Sequence, residues 1–222
     1  MKKTISILVG LTLIACTQAT SEKTLEIKGK KLLSQKPLFT LALPSEFQLT
    51  HSSSIEYPKE NSLTRAYFFI TEKNKKVEEM FIVQIADRTN PQAEPIAAPP
   101  LKPITEKTMY SKGKIKRGVV ELDHLIQLFV WNPDAPSLQP IVAKGITIPS
   151  RWALQGQLLF TYQGEHAVHI RYSKDINSFG LKVSEEGKGW EIGKISGNEK
   201  KVYETFQKTF MEMMNSIDLK DP

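Results

Sequence analysis

The chain has 222 residues, of which 40% are hydrophobic and 24% charged, and its formal net charge is +6. These proportions argue against a disordered chain and allow one good-sized domain or two very small ones. The positive charge is scattered, and its densest stretch, residues 112–117, lacks the interleaved aromatic side chains of a nucleic-acid surface. We therefore expect no nucleic-acid partner.

The first 15 residues have the form of a secretory signal peptide. Lys2 and Lys3 precede an apolar, uncharged stretch over residues 5–15, and the chain turns polar directly after residue 16. The stretch lies within the roughly 7–15 residues of a signal-peptide core and is shorter than the ~20 needed to cross a bilayer. We therefore predict that residues 1–15 are removed during secretion.

The run Leu13-Ile14-Ala15-Cys16 resembles the lipobox of bacterial lipoproteins. In that motif a leucine, a tolerant residue and a small residue precede the cysteine at which the signal peptide is cleaved. The resemblance implies that the thiol of Cys16 accepts a diacylglyceryl group. Two or more acyl chains hold a protein on a membrane stably, whereas one does so only marginally. The alternatives are an ordinary cleaved signal with a chance cysteine, or an uncleaved anchor.

Cys16 is the only cysteine of the chain. A disulfide within the chain and a cysteine-based metal site are therefore excluded. Thr17 stands where an aspartate often retains lipoproteins in the inner membrane, so the resemblance favours the outer membrane. We accordingly expect a protein of the bacterial cell envelope that is lipid-anchored and faces the periplasm.

Residues 16–36 are rich in Thr, Ser, Lys and Glu, which predicts a flexible tether after the lipidated cysteine. A single globular domain is predicted over residues 37–222, and strand-like alternation begins at Leu38. Further strand candidates are two hairpin-like units, 65–71 with 77–86 and 157–162 with 166–173, and the segment 118–130. In the first hairpin, apolar residues occupy both strand faces, which is typical of central strands covered on both sides.

Between the two hairpins lies a proline-rich segment, residues 88–107. It contains five prolines, namely Pro91, Pro95, Pro99, Pro100 and Pro103. Proline lacks a backbone N–H and breaks regular helices and central strands, so the segment is predicted to be an extended loop. We expect this loop to lie within one domain, because the strands on either side are too few to build two separate cores.

The carboxyl-terminal segment is predicted to be a helix. Ser196 and Glu199 have the spacing of a capping box. The apolar residues Val202, Phe206, Phe210, Met213 and Ile217 then recur at helical spacing. This stripe is expected to pack across the sheet, so the predicted fold class is α+β, with an antiparallel sheet and packed helices.

Two segments resemble parts of PsbP-like domains. The alternating strand that runs through Pro44 to Phe47 resembles their first strand, and the closing helix, followed by Ser216-Ile217, resembles their terminal helix. The resemblance implies an α/β/α sandwich around an antiparallel sheet. The family includes photosystem accessory proteins and DcrB-like bacterial lipoproteins, generally without catalysis.

The histidines are the main candidates for metal binding or acid–base chemistry. His124 shares strand parity with apolar neighbours, which predicts a core histidine with one hydrogen-bond partner. His166 and His169 are three residues apart, and on a strand they face opposite ways, so no metal site is expected. Ser111 and Lys114 have a Ser-x-x-Lys spacing without its companion motifs. We predict no catalytic residue, no cofactor and no metal.

The leading functional hypothesis is a non-enzymatic binding or accessory domain, held in the envelope by the lipid on Cys16 and meeting an envelope protein partner. One alternative is a lipid-anchored envelope hydrolase. Another is a structural component of an envelope complex that docks through the proline-rich loop. A deep cavity with converging polar groups and a histidine of shifted pKa would favour the hydrolase, whereas a flat surface would favour docking.

Overall fold

The structure, a computed structural model, describes residues 24–184 and 187–220. The predicted signal peptide and Cys16 lie outside the described residues. The strands are β1 (Leu25–Lys28), β2 (Lys31–Gln35), β3 (Leu38–Ala42), β4 (Gln48–Tyr57), β5 (Ser62–Lys73), β6 (Lys76–Arg88), β7 (Tyr110–Arg117), β8 (Val120–Val130), β9 (Trp152–Tyr162), β10 (His166–Asp175) and β11 (Asp218–Leu219), and the α-helices are α1 (Gln139–Val142) and α2 (Gly197–Asn215). The predicted α+β class is confirmed.

A seven-stranded sheet forms the centre of the domain. Its order is β4-β5-β6-β10-β9-β8-β7, and every neighbouring pair is antiparallel. The two predicted hairpins are confirmed as β5–β6 and β9–β10, and they meet through the pairing of β6 with β10. Both faces of the central strands are buried, since Phe69 and Phe81 lie on one face and Phe68 and Ile82 on the other.

The face that carries Phe69 and Phe81, which we call the first face, is covered by α2 and by a small sheet of order β1-β2-β3-β11. The predicted helix is confirmed, and Phe206 and Phe210 on its apolar stripe are buried. The ring of Phe206 stacks on Tyr172 of β10, with the ring centroids 5.2 Å apart. Ser196 is the residue that precedes the helix, as the capping pattern predicts, but its side chain makes no capping hydrogen bond.

The tether predicted over residues 16–36 is wrong from residue 24 onward. Residues 25–35 form the antiparallel pair β1–β2, in which Leu25 and Leu32 are buried. The hydroxyl of Thr24 lies 2.5 Å from that of Tyr67 on the large sheet. The two strands are short, and the lysines on their exposed faces obscured the alternation that marks a strand. Residues 24–36 therefore belong to the folded domain.

The second face of the large sheet is covered in two parts. Residues 131–150, which include α1, pack Trp131, Leu138 and Ile141 against one end. The proline-rich segment crosses the other end, and between β6 and β7 it forms neither a helix nor a regular strand, which confirms the predicted loop. We call residues 94–104 the strap.

No helix in the described part of the chain is both long enough and apolar enough to cross a membrane.

Candidate functional site

The strap is fixed to the sheet at both of its ends. At its start, the Ile96 N–H donates to the carbonyl of Gly164 at 2.8 Å, and Arg88 donates from Nη1 to the carbonyl of Ala93 at 2.8 Å. At its end, the Ile104 N–H donates to Oε1 of Gln127 at 2.8 Å. Because prolines have no N–H, few backbone donors of the strap need partners, and it can bridge the sheet without forming a strand.

A cavity of about 640 Å³ lies between the strap and the sheet. Its floor includes Ala86 and Ala167, which are directly paired across β6 and β10, and its outer wall is strap residues 95–102. Small side chains near the end of β6 and at the start of β10 leave the space that larger residues would fill. The volume falls within the ~300–1,000 Å³ that is typical of small-molecule sites.

Four glutamines on this face of the sheet, which we call the amide row, lie beside and beneath the strap; they are Gln84, Gln127, Gln155 and Gln157. Gln127 and Gln157 both donate from Nε2 to Oε1 of Gln155, at 3.2 and 2.9 Å. Gln155 in turn donates to the hydroxyl of Ser173 at 3.2 Å. A buried polar group is tolerated when it is hydrogen-bonded, so this network holds neutral amides rigidly on this face of the sheet.

His169 joins the amide row to the cavity. It lines the cavity, and its Nε2 lies 3.0 Å from Oε1 of Gln157. Because the amide nitrogen of Gln157 already donates to Gln155, its oxygen accepts, and Nε2 of His169 carries the proton. Burial, reinforced by the positive charge of Arg171, lowers the pKa of His169 to about 4. The imidazole is therefore neutral at ordinary pH.

Arg171 is a half-buried cation that pairs with an amide. It donates from Nη2 to Oε1 of Gln84 at 2.9 Å, its Nε is buried without a hydrogen-bond partner, and no carboxylate in the described ranges forms a salt bridge with it. Burial also lowers its pKa. Since the oxygen of Gln84 is engaged, its amide nitrogen remains as a donor for the cavity that Gln84 lines.

The neutral state of His169 predicts how stability depends on pH. The pKa of about 4 in the folded state lies below the ordinary value of 6.5, so the unfolded chain binds the extra proton first as the pH falls. The stabilisation is complete above pH 6.5 and is lost towards pH 4, by about 3 kcal/mol in total. His169→Gln should remove this part of the acid sensitivity, which denaturant unfolding across that pH window measures. Equal slopes for the two proteins would contradict the assignment.

The other predicted residues lie apart from this site. His166 faces the opposite side of β10 from His169, as predicted, with its Nδ1 2.7 Å from Oδ1 of Asp87. His124, predicted to be a core residue, is only half-buried, and its Nδ1 is buried without a hydrogen-bond partner. Ser111 accepts a hydrogen bond from Tyr203 at 2.9 Å, while Lys114 pairs with a carboxylate.

The described residues contain no group of three potential ligands that could hold a metal ion. Sequence reasoning missed the amide row, because neutral glutamines within strands carry no charge or motif to draw attention to them. The sequence does carry one signal of this site. Polar side chains recur at alternate positions, so that they share one face of each strand, as Gln155 and Gln157 do in β9 and His169 and Arg171 in β10.

No protein-family model, curated protein or solved structure matches the chain. The class of protein therefore rests on the fold and the site. These define an α+β domain with a strapped cavity that has a small-residue floor and neutral, rigidly held polar groups.

Proposed function

We propose that the chain is an envelope lipoprotein whose domain binds a small ligand, without converting it, in the cavity beneath the strap. The observation that carries the proposal is the cavity floor, where Ala86 and Ala167 leave space beside the fixed side chains of Gln84 and His169. An apolar cavity with a few oriented polar groups is the usual form of a small-molecule site.

The low pKa of His169 favours a binding role for the cavity over hydrolysis. A cavity and a histidine of shifted pKa are features expected of the hydrolase, but a pKa of about 4 makes this imidazole a weak base at neutral pH. General acid–base catalysis works best with a pKa near the working pH. The Nε2 proton is also held by Gln157, and in the described structure no hydrogen bond joins His169 to Ser62 or Thr64, the hydroxyls that line the cavity.

A PsbP-like sandwich belongs to the same proposal. It is supported by the antiparallel central sheet, and by α2 with β11, which pairs with β3 on the first face. The second face departs from a full helical layer, since α1, which lies on it, has four residues and the strap takes the remaining area.

The envelope location and an envelope protein partner complete the proposal. The lipobox at Cys16 supports the envelope location. Thr17, which stands where an aspartate often retains lipoproteins in the inner membrane, supports the periplasmic side of the outer membrane. The partner is supported by the strap, where Ile104 is 64% exposed and Pro99 and Pro100 are also exposed. Apolar side chains on an exposed, fixed segment suit contact with another protein.

Filling the cavity should abolish binding of an apolar probe. Ala167→Phe places a ring in the space beside Ala86, so the affinity for anilinonaphthalene sulfonate should fall by about tenfold or more. A fluorescence titration of the folded protein measures this affinity. The matched control is Ala143→Phe, the same change at an exposed position beside α1. Unchanged probe binding in the folded Ala167→Phe variant would overturn the cavity as the binding site.

The anchor has its own test. Cys16→Ser removes the only thiol of the chain, so the protein should lose acyl labelling and leave the membrane fraction. Metabolic labelling with a fatty acid, followed by fractionation, measures both effects. A variant that stays membrane-bound and is still processed before residue 16 would require a different anchor.

A further inference from the structure

The two edges of the large sheet differ in how well they are protected against the addition of another strand. In the described part of the chain, these edges are β4 and β7. On β7, Lys112, Lys114 and Lys116 are all exposed. Lysines on an edge strand oppose pairing with a further strand, because the pairing would crowd and desolvate their charges. The β7 edge is therefore protected.

The outer edge of β4 lacks this protection. Near its start, Nζ of Lys144 donates to the carbonyl of Thr50, which lies at an irregularity of the pairing with β5. The seven residues that follow, 51–57, contain no lysine, arginine or proline, and they are exposed from Ser52 onward. A long edge strand without a blocking residue presents its unpaired backbone groups as a template for another strand.

Exposed apolar side chains lie beside this unprotected edge. Beyond Thr50 the strand alternates regularly, so Ile55 and Tyr57 share one face of it. Ile55 is 54% exposed and Tyr57 is 43% exposed. They pair with Thr64 and Ser62 of β5, which line the cavity, so the two apolar side chains lie on the cavity side of the sheet. A further strand would cover this apolar surface.

Symmetry favours a second copy of the chain as the occupant of the β4 edge. Two β4 strands related by a two-fold axis pair with each other, and the assembly then closes at two copies. Pairing of β4 with β7 of the next copy would instead continue into an open filament. The lysines of β7 oppose that alternative. One protected edge and one unprotected edge therefore suit a closed dimer.

One antiparallel register uses the whole of residues 51–57. In it, Ser54 lies opposite its own copy. The other pairs are His51 with Tyr57, Ser52 with Glu56, and Ser53 with Ile55. The members of each pair share a face of the strand, and no like charges are opposed. The two copies of Ile55 become diagonal neighbours, which brings apolar side chains together across the interface.

We infer that the chain forms a two-fold dimer in which β4 pairs antiparallel with β4 of a second copy, so that the two seven-stranded sheets become one continuous sheet. Because paired residues share a face, the strap cavities of the two copies lie on the same side of that sheet. The dimer depends neither on the ligand of the cavity nor on the lipid at Cys16.

Oxidation of single cysteines in the full chain tests the register. Ser54→Cys places two thiols directly opposite each other, with Cβ atoms about 4.5–5.5 Å apart, so a disulfide-linked dimer should form. Ser52→Cys is the matched control, an exposed serine on the same face of β4 whose two copies lie about 13 Å apart along the strand. On a non-reducing gel, Ser54→Cys should give about ten times more covalent dimer than the control.

The parent chain, whose only cysteine is Cys16, supplies the background for this experiment. Equal yields from the two variants, or a higher yield from Ser52→Cys, would overturn the register. No covalent dimer above the background from Ser54→Cys would overturn the pairing of β4 with its copy.

A second variant tests the dimer without a disulfide. Ile55→Lys places at the interface the type of residue that protects β7, so the dissociation constant of the dimer should rise about tenfold or more. Ile192→Lys, the same change at an exposed isoleucine near the start of β7, should leave that constant unchanged. Sedimentation equilibrium of the full chains in density-matched detergent measures both. A monomeric parent chain, or an Ile55→Lys chain as dimeric as the parent, would overturn the interface.

Discussion

Replacing Phe210 with alanine should lower the free energy of unfolding by about 3–5 kcal/mol. Phe210 is fully buried on α2, where its ring lies against Gly156 of β9. The substitution removes the contact that seats the helix on the centre of the large sheet and leaves a cavity that the rigid sheet cannot close. Denaturant unfolding with linear extrapolation measures the loss.

The partner position supplies the control for that result. A Cβ added to Gly156 would lie 2.6 Å from Cγ of Phe210, a distance that real carbon atoms do not adopt. Gly156→Ala should therefore cost about 1–3 kcal/mol in the wild-type protein through overpacking. In the Phe210→Ala background the ring is gone, so the same change should cost almost nothing. Equal costs in the two backgrounds would show that the glycine is not needed for this close approach.

These two residues illustrate which part of the fold was predictable. The stripe on α2 repeats every three to four residues, and that local period identifies both the helix and its buried face. The hairpins β5–β6 and β9–β10 follow from alternation around short polar turns. The role of Gly156 does not follow, because it depends on a ring about fifty residues further along the chain, and no local pattern records that contact.

Long-range pairing also explains what was missed at the site. His166 and His169 could be assigned to opposite faces from parity, since a strand alternates its side chains. The pairing of Ala86 with Ala167, which forms the cavity floor, joins strands about eighty residues apart. The burial of His169 and Arg171 depends on the strap and on residues 131–150, whose paths over the sheet are set by tertiary contacts.

The tether shows how a compositional argument fails. Residues 24–36 read as polar because one face of β1 and β2 is exposed, as in Glu26 and Lys31. The buried face carries only a few apolar residues, too few to stand out in strands of four and five residues. Eight residues, 17–24, therefore separate Cys16 from the first strand, instead of the twenty first expected.

Asp87→Asn is expected to be as damaging as the loss of Phe210, at about 3–5 kcal/mol, although it removes no atoms from the core. Asp87 is 6% exposed at the end of β6, where its carboxylate accepts from Nη2 of Arg65 and lies 2.7 Å from Nδ1 of His166. Nε of Arg65 is buried without a partner, so this guanidinium depends on Asp87 for its counter-charge. The near-isosteric amide keeps the packing and leaves a poorly solvated cation uncompensated.

The comparison that isolates the charge is Asp123→Asn. Asp123 lies 3.7 Å from Lys114 in an exposed pair, and such pairs contribute at most about 1 kcal/mol, so its loss should be small. A second comparison replaces both members of the buried pair, as Arg65→Met with Asp87→Leu. Removing the two charges together should recover much of the stability, because the cost of Asp87→Asn lies in the unpaired cation. A double variant that is less stable than Asp87→Asn would instead mean that the ion pair itself holds β5 to β6.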